Sequence, residues 1–112
     1  MSEARLKSRL FVQAVVRSCG SMGANAVVVR SGDADAGAVL VKLLQAGRRA
    51  MVLSQTRTGE GRPAWMRLTG PEPIDEAQAD AAIERQCRYD TDLWVIEIED
   101  RDGRHPLVDP IL

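Results

Sequence analysis

Aromatic side chains are scarce in this sequence of 112 residues, at 4% of the whole. Serial stacking of unpaired nucleic-acid bases needs several exposed rings, so that mode of binding is disfavoured. Charge of one sign is lacking too: 15 Lys and Arg stand against 16 Asp and Glu, a formal net charge of -1. A chain so balanced has no broad positive field for holding phosphate backbones, and nucleic acid is not an expected partner. Apolar residues occur only in short runs, well below the roughly 20 needed for a membrane-spanning helix. The opening Met1-Ser2-Glu3-Ala4-Arg5 carries charge with no apolar block behind it, unlike a secretory signal. The expected compartment is the cytoplasm.

Cysteine is rare and badly placed for metal. Cys19 and Cys87 lie far apart, neither belongs to a Cys-x-x-Cys pair, and His105 is the single histidine. That set does not make a zinc site, and neither metal nor cofactor is expected. Both cysteines read as small apolar residues inside helices. A disulfide would suit a secreted chain, which nothing here indicates.

What the chain does contain is a sequence of periodic segments fitting one domain over 1–112, with a core of about 5–105 and a tail at 106–112. Leu6, Leu10 and Ala14, with Phe11, Val15 and Cys19, recur at four-residue spacing and predict a helix over about Lys7–Ser21. Ser8 is its candidate cap, and Gly20 and Gly23 are stop signals. Arg5, Arg9, Gln13 and Arg17 form the opposite, solvated ridge. The runs Ala26–Arg30 and Ala38–Leu44 read as strands covered on at least one face. Between them Arg30-Ser31-Gly32-Asp33-Ala34-Asp35-Ala36-Gly37 reads as a hairpin connection.

A third strand is predicted over Ala50–Thr56 and a fourth over Ala64–Leu68, joined by the glycine-rich loop Arg57–Pro63. In the fourth, Trp65 and Arg67 point one way and Met66 and Leu68 the other. The second helix opens on Asp75 with Gln78 three residues on, a capping-box order, and Ala79, Ala82, Ile83 and Cys87 form its inner stripe. Acids in its first turns and Arg85 and Arg88 in its last suit the helix dipole. Leu93–Glu99 alternates as a strand, with Trp94, Ile96 and Ile98 on one face and Val95, Glu97 and Glu99 on the other. A turn at Asp100–Arg104 leads into the proline-interrupted apolar tail Pro106–Leu112.

The expected fold is α+β, in the order α-β-β-β-β-α-β: a mostly antiparallel sheet of four or five strands with two helices packed on one face. Several motifs occur in order: Val28-Val29-Arg30-Ser31-Gly32-Asp33-Ala34-Asp35-Ala36-Gly37, then Trp65-Met66-Arg67-Leu68-Thr69-Gly70, then Ile83-Glu84-Arg85-Gln86 with Tyr89-Asp90-Thr91-Asp92-Leu93-Trp94-Val95-Ile96-Glu97. Together they resemble a small alphaproteobacterial family of unknown function, the one numbered fourteen-ninety-one. The resemblance implies a cytosolic bacterial protein and gives no residue a catalytic role.

Three constellations invite a chemical reading. Asp33, Asp35 and Gly37 imitate the opening of a calcium loop, but the twelfth position is the apolar Leu44 where a bidentate glutamate is required. An Asx-stabilised turn accounts for the same residues. The element order is similar to that of metal-dependent nucleases, which would use Asp33 and Asp35 with Glu97 or Glu99. The third strand, however, offers Gln55-Thr56-Arg57 in place of a carboxylate and a lysine. Glu97 and Glu99, near Trp65 and Arg67, would line a ligand surface if the strands were neighbours; otherwise they are cross-strand charges facing solvent. The expected function is a non-catalytic binding or interaction module, with the metal-dependent hydrolase as alternative. A homodimer to which the tail contributes is expected, because four large apolar side chains at a chain end are poorly placed in water.

Overall fold

The structure is a computed structural model and describes residues 6–112. The reading of Met1–Arg5 as no signal sequence, and Arg5 as part of the basic ridge, lie outside the described residues. The chain runs through α1 (Ser8–Ser21), β1 (Asn25–Arg30), β2 (Val39–Gln45), β3 (Arg49–Arg57), β4 (Pro63–Arg67), β5 (Ile74–Asp75), α2 (Glu76–Tyr89) and β6 (Trp94–Glu99). Each expected element is present with its ends shifted by a residue or so. The two-residue β5 is the addition, because Ile74 and Asp75 pair with Ala50 and Arg49 before the second helix starts.

The sheet order is β1-β6-β2-β3-β4, with β5 alongside β3. All pairings are antiparallel except β2 with β6. The expected hairpin between β1 and β2 is therefore corrected: β6 lies between them. Residues 31–38 form a wide connection across the start of β6, and this is where two glycines are required. A Cβ on Gly32 or Gly37 would overlap the carbonyl oxygen of Asp92, which the connection passes at close range.

The helices also differ from expectation, occupying opposite faces of the sheet. Val39, Val41 and Leu43 of β2 join Trp94, Ile96, Ile98, Leu53 and Trp65 in a core against Val12, Val15 and Cys19 of α1. The alternate residues Leu40 and Leu44, with Val95, Ala50 and Val52, pack beneath Ala79, Ile83 and Cys87 of α2. A strand apolar at every position suits a sheet covered on both faces, and β2 is one.

On α1 the inward stripe is Val12, Val15 and Cys19, while Leu10 and Ala14 face outward with Arg9, Gln13 and Arg17; Leu6, exposed as well, lies ahead of the helix. The α1 start is not capped by Ser8. Lys7 is the N-cap residue, and the 31–38 connection receives the first helical N–H groups: Ser8 donates to Asp35 O and Arg9 to Ala34 O. The buried Ser8 hydroxyl donates to Gly37 O at 2.5 Å. The helix ends at Gly23, whose φ of 78° lets Ala24 N–H reach back to Cys19 O. Asp75 is the N-cap residue of α2 but its side chain makes no cap bond; it pairs with Arg49 at 3.1 Å instead.

The tail docks on its own chain. Trp65 N–H donates to Pro110 O, Leu112 N–H donates to Trp65 O, and the Arg67 guanidinium donates to Leu112 O. Ile111 thus forms a parallel bridge along the outer edge of β4, and Leu107 and Ile111 pack on the α1-side core.

Candidate functional site

The chemistry-bearing residues do not assemble into the ligand surface expected from the sequence. Trp65 and Arg67 stand on the α1 face of the sheet, and Trp65 is fully buried there. Glu97 and Glu99 stand on the opposite face, because Trp94, Ile96 and Ile98 take the α1 side. The four side chains are therefore divided by the sheet. Asp33 and Asp35 sit in the connection at the start of β6, where Asp33 O accepts from Trp94 Nε1 at 2.7 Å. Glu97 and Glu99 follow about 10 and 16 Å further along that strand. Asp33/Asp35 and Glu97/Glu99 do not converge on one point.

The Asp33 carboxylate accepts the N–H groups of Asp35 and Ala36, at 3.2 and 2.8 Å. This is an Asx turn, with the carboxylate turned onto its own loop. Asp35 is exposed, 3.6 Å from Lys7. Among the described residues no group of three or more His, Cys, Asp or Glu is arranged to hold a metal ion.

The polar centre of the molecule was not legible in the sequence. Lys42, in the middle of β2, is 4% exposed. Its Nζ lies 2.7 Å from Glu76, 2.7 Å from Asp80 and 3.0 Å from Glu97. Glu76 also receives Arg48 at 3.1 Å. Burial pulls the Lys42 pKa down, but bonding to Asp80, Glu76 and Glu97 outweighs it and holds the ammonium well above the ordinary lysine value. Glu76 is held below its ordinary range chiefly by the hydrogen bond from Lys42. An ammonium so fixed is neither a base nor a nucleophile; it ties the first turn of α2 to the sheet. The signal for it was one lysine inside the apolar run Val39–Leu44, facing acids spaced i, i+4 on α2.

A groove of about 640 Å³ opens beside the α1 start, bounded by Leu6, Phe11, Gly37, Gln55, Arg57 and Asp109. Several of its polar groups are already engaged within the chain: Gln55 Oε1 accepts from Val39 N–H, and Arg57 donates to Gly61 O.

The remaining feature is a surface. β1 ends the sheet, and no strand pairs with its outer side among the described residues. The expected cover on at least one face is met at Ala26, which packs into the α1-side core, but Val27, Val28 and Val29 are 52%, 38% and 59% exposed. Val27 lies opposite Glu97 on the α2 face, beyond the strands that α2 covers, and Val28 lies opposite Ile96 on the α1 face. A bulge interrupts the register between Val28 and Arg30. The other edge, β4, is closed by the tail. The sheet thus has one sealed edge and one open, apolar edge. Elsewhere Val108 and Tyr89 project singly into solvent.

A family model described as "Protein of unknown function (DUF1491)" matches residues 6–108. A crystal structure of a DUF1491 family protein from Caulobacter crescentus is 42% identical, covering 96% of this chain and 100% of that one, with a TM-score of 0.88. An NMR structure of a DUF1491 family protein from the same organism is also 42% identical, covering 98% and 99%, with a TM-score of 0.85. A solution structure of a protein from A. tumefaciens is 29% identical, covering 95% and 97%, at 0.72. No curated protein matches the chain.

Proposed function

Since the chain belongs to the DUF1491 family, whose description assigns no activity, we propose from its own geometry that it is a non-catalytic interaction module working through the open edge of β1. The observation that carries this reading is the contrast between the two ends of the sheet. A free strand edge presents unpaired N–H and C=O groups that can template another strand, and proteins ordinarily blunt it with charge, proline or a covering segment. Here the tail covers β4, while β1 displays Val27, Val28 and Val29 with a single bulge as protection. Addition of a strand to such an edge supplies main-chain hydrogen bonds, and the valines supply apolar contact on both faces.

Asp33, Glu97 and the buried lysine have structural employment, which supports a binding role over a chemical one. Asp33 shapes a turn, while Glu76, Asp80 and Glu97 hold Lys42. Cys19 and Cys87 are free thiols, which suits a reducing compartment, and we place the protein in the cytoplasm.

The test is affinity capture from bacteria carrying the tagged chain, compared with a Val27→Lys variant. A protein retained by the parent chain and lost by the variant supports the reading. Identical captured sets would remove β1 as the working surface.

A further inference from the structure

Building on that reading, we infer that the occupant of the β1 edge is a second copy of this chain, paired antiparallel about a two-fold axis at Val27. An axis perpendicular to the sheet is the operation that continues one sheet into its copy with β1 against β1. It keeps each residue's face, so a residue on the α2 side meets one on the α2 side. The bulge at Val29 limits the regular part of the strand to Asn25–Val28. An axis at Val27, the exposed valine within that part, sets Val27 against Val27 of the second copy, and Ala26 against Val28 of the second copy. No charged residue faces its like in this register: Asn25 meets the bulged Val29 of the second copy, and Arg30 falls beyond the paired segment.

The apolar faces of the joined edge are then accounted for. Val27, more than half exposed in the single chain, is covered by its own copy on the side that α2 does not reach. Val28 is covered by Ala26 of the second copy on the α1 side. α1 leads directly into β1 and packs on its face of the sheet, with Ala26 joining the core beneath it. The tail, docked on β4 at the far edge, takes no part. A strand from a different protein would need a matching apolar stripe; this chain carries one in register with itself.

The experiment uses the full chain and two single variants, Val27→Lys and Val27→Glu, by light scattering across micromolar concentrations. Far-ultraviolet circular dichroism confirms that all three fold, which the exposure of Val27 permits. The parent chain is expected to dimerise. Each variant alone is expected to be monomeric where the parent is mostly dimeric, since like charges then meet at the axis. An equimolar mixture of the two variants is expected to regain the dimer mass, because lysine now faces glutamate. A parent chain still monomeric at high micromolar concentration overturns the second copy, as does a variant dimer as tight as the parent's, or a mixture that stays monomeric. A monomeric parent leaves the β1 edge available to another protein, and the capture comparison reads that case separately.

Discussion

Lys42 Nζ stands 2.7 Å from the carboxylate of Glu76, joining the centre of β2 to the first residue of α2 across 34 positions of sequence. α2 has Ala79 as its fully buried residue, with Ile83 and Cys87 half-buried beside it. Its apolar contact is modest, so the ionic tie at its first turn matters more than a surface ion pair would.

Replacing Lys42 by Met should therefore destabilise the fold by roughly 3 kcal/mol, because three carboxylates lose the buried charge that compensates them. Asp80→Asn should cost about 0.5 kcal/mol, since the Asp80 side chain is 55% exposed. Glu76→Gln should fall between. Chemical denaturation of the three variants checks the ranking, and a Lys42→Met protein as stable as the parent would show that the tie is dispensable.

The pH dependence follows from the direction of each shift. Glu76 is depressed, so its contribution is present above the ordinary glutamate value and fades as pH falls through its lower folded one. Asp100 is depressed to about 2, chiefly by the Arg104 guanidinium, so its contribution is lost between about pH 4 and pH 2. Lys42 is raised, so its contribution is present below the ordinary lysine value and is lost only above it. Stability should be flat between roughly pH 7 and pH 10, since these groups change only outside that window and His105 acts below it. Melting temperatures measured from about pH 7 to about pH 12 check the plateau and its alkaline end, and Lys42→Met should remove that alkaline shoulder.

His105 adds a separate effect in the tail. Its Nδ1 accepts the Leu107 N–H at 3.2 Å, and burial holds its pKa below the ordinary histidine value. Protonation removes that acceptor. The neutral form contributes stability above about pH 6.5, and the contribution is lost as pH falls through the lower folded value. Protection of the Leu107 and Leu112 amides, each referred to its intrinsic exchange rate at the same pH, should fall on mild acidification while that of the β2 amides holds. Unchanged tail exchange would show that His105 does not hold it.

Gly32→Ala and Gly37→Ala should each cost about 1–3 kcal/mol, since an added Cβ overlaps the Asp92 carbonyl and the connection must shift. Gly59→Ala, where a Cβ meets open space, serves as the comparison and should be nearly neutral. Equal losses at all three would mean that close approach is not the reason for glycine in that connection.

These positions show what was legible in the sequence. Local period placed both helices and the strands to within about a residue, because alternation and four-residue spacing are properties of the segment itself. Strand order is not. The run Gly32–Gly37 has the composition of a hairpin, yet its glycines serve an approach to Asp92, 55 or more positions away. The continuous apolar run Val39–Leu44 did carry the signal for two covered faces, but the alternation of Val39, Val41 and Leu43 against Leu40 and Leu44 identifies the helices only once α2 is placed. Asp75 has the residue type of a cap, and competition from Arg49 takes its carboxylate elsewhere. Trp65 and Glu97 looked like neighbours because each alternates correctly within its own strand; the sheet order sets two strands between them and the registers put them on opposite faces.

The central claim, two-fold pairing at β1, is tested most directly by isotope-filtered NMR on a dimer mixed from labelled and unlabelled chains. The account predicts intermolecular contacts between the Val27 methyl groups of the two copies, and between Val28 methyls and Ala26. A filtered spectrum empty at concentrations of several hundred micromolar, or one whose contacts arise from Val108 and Leu112 of the tail, would contradict it.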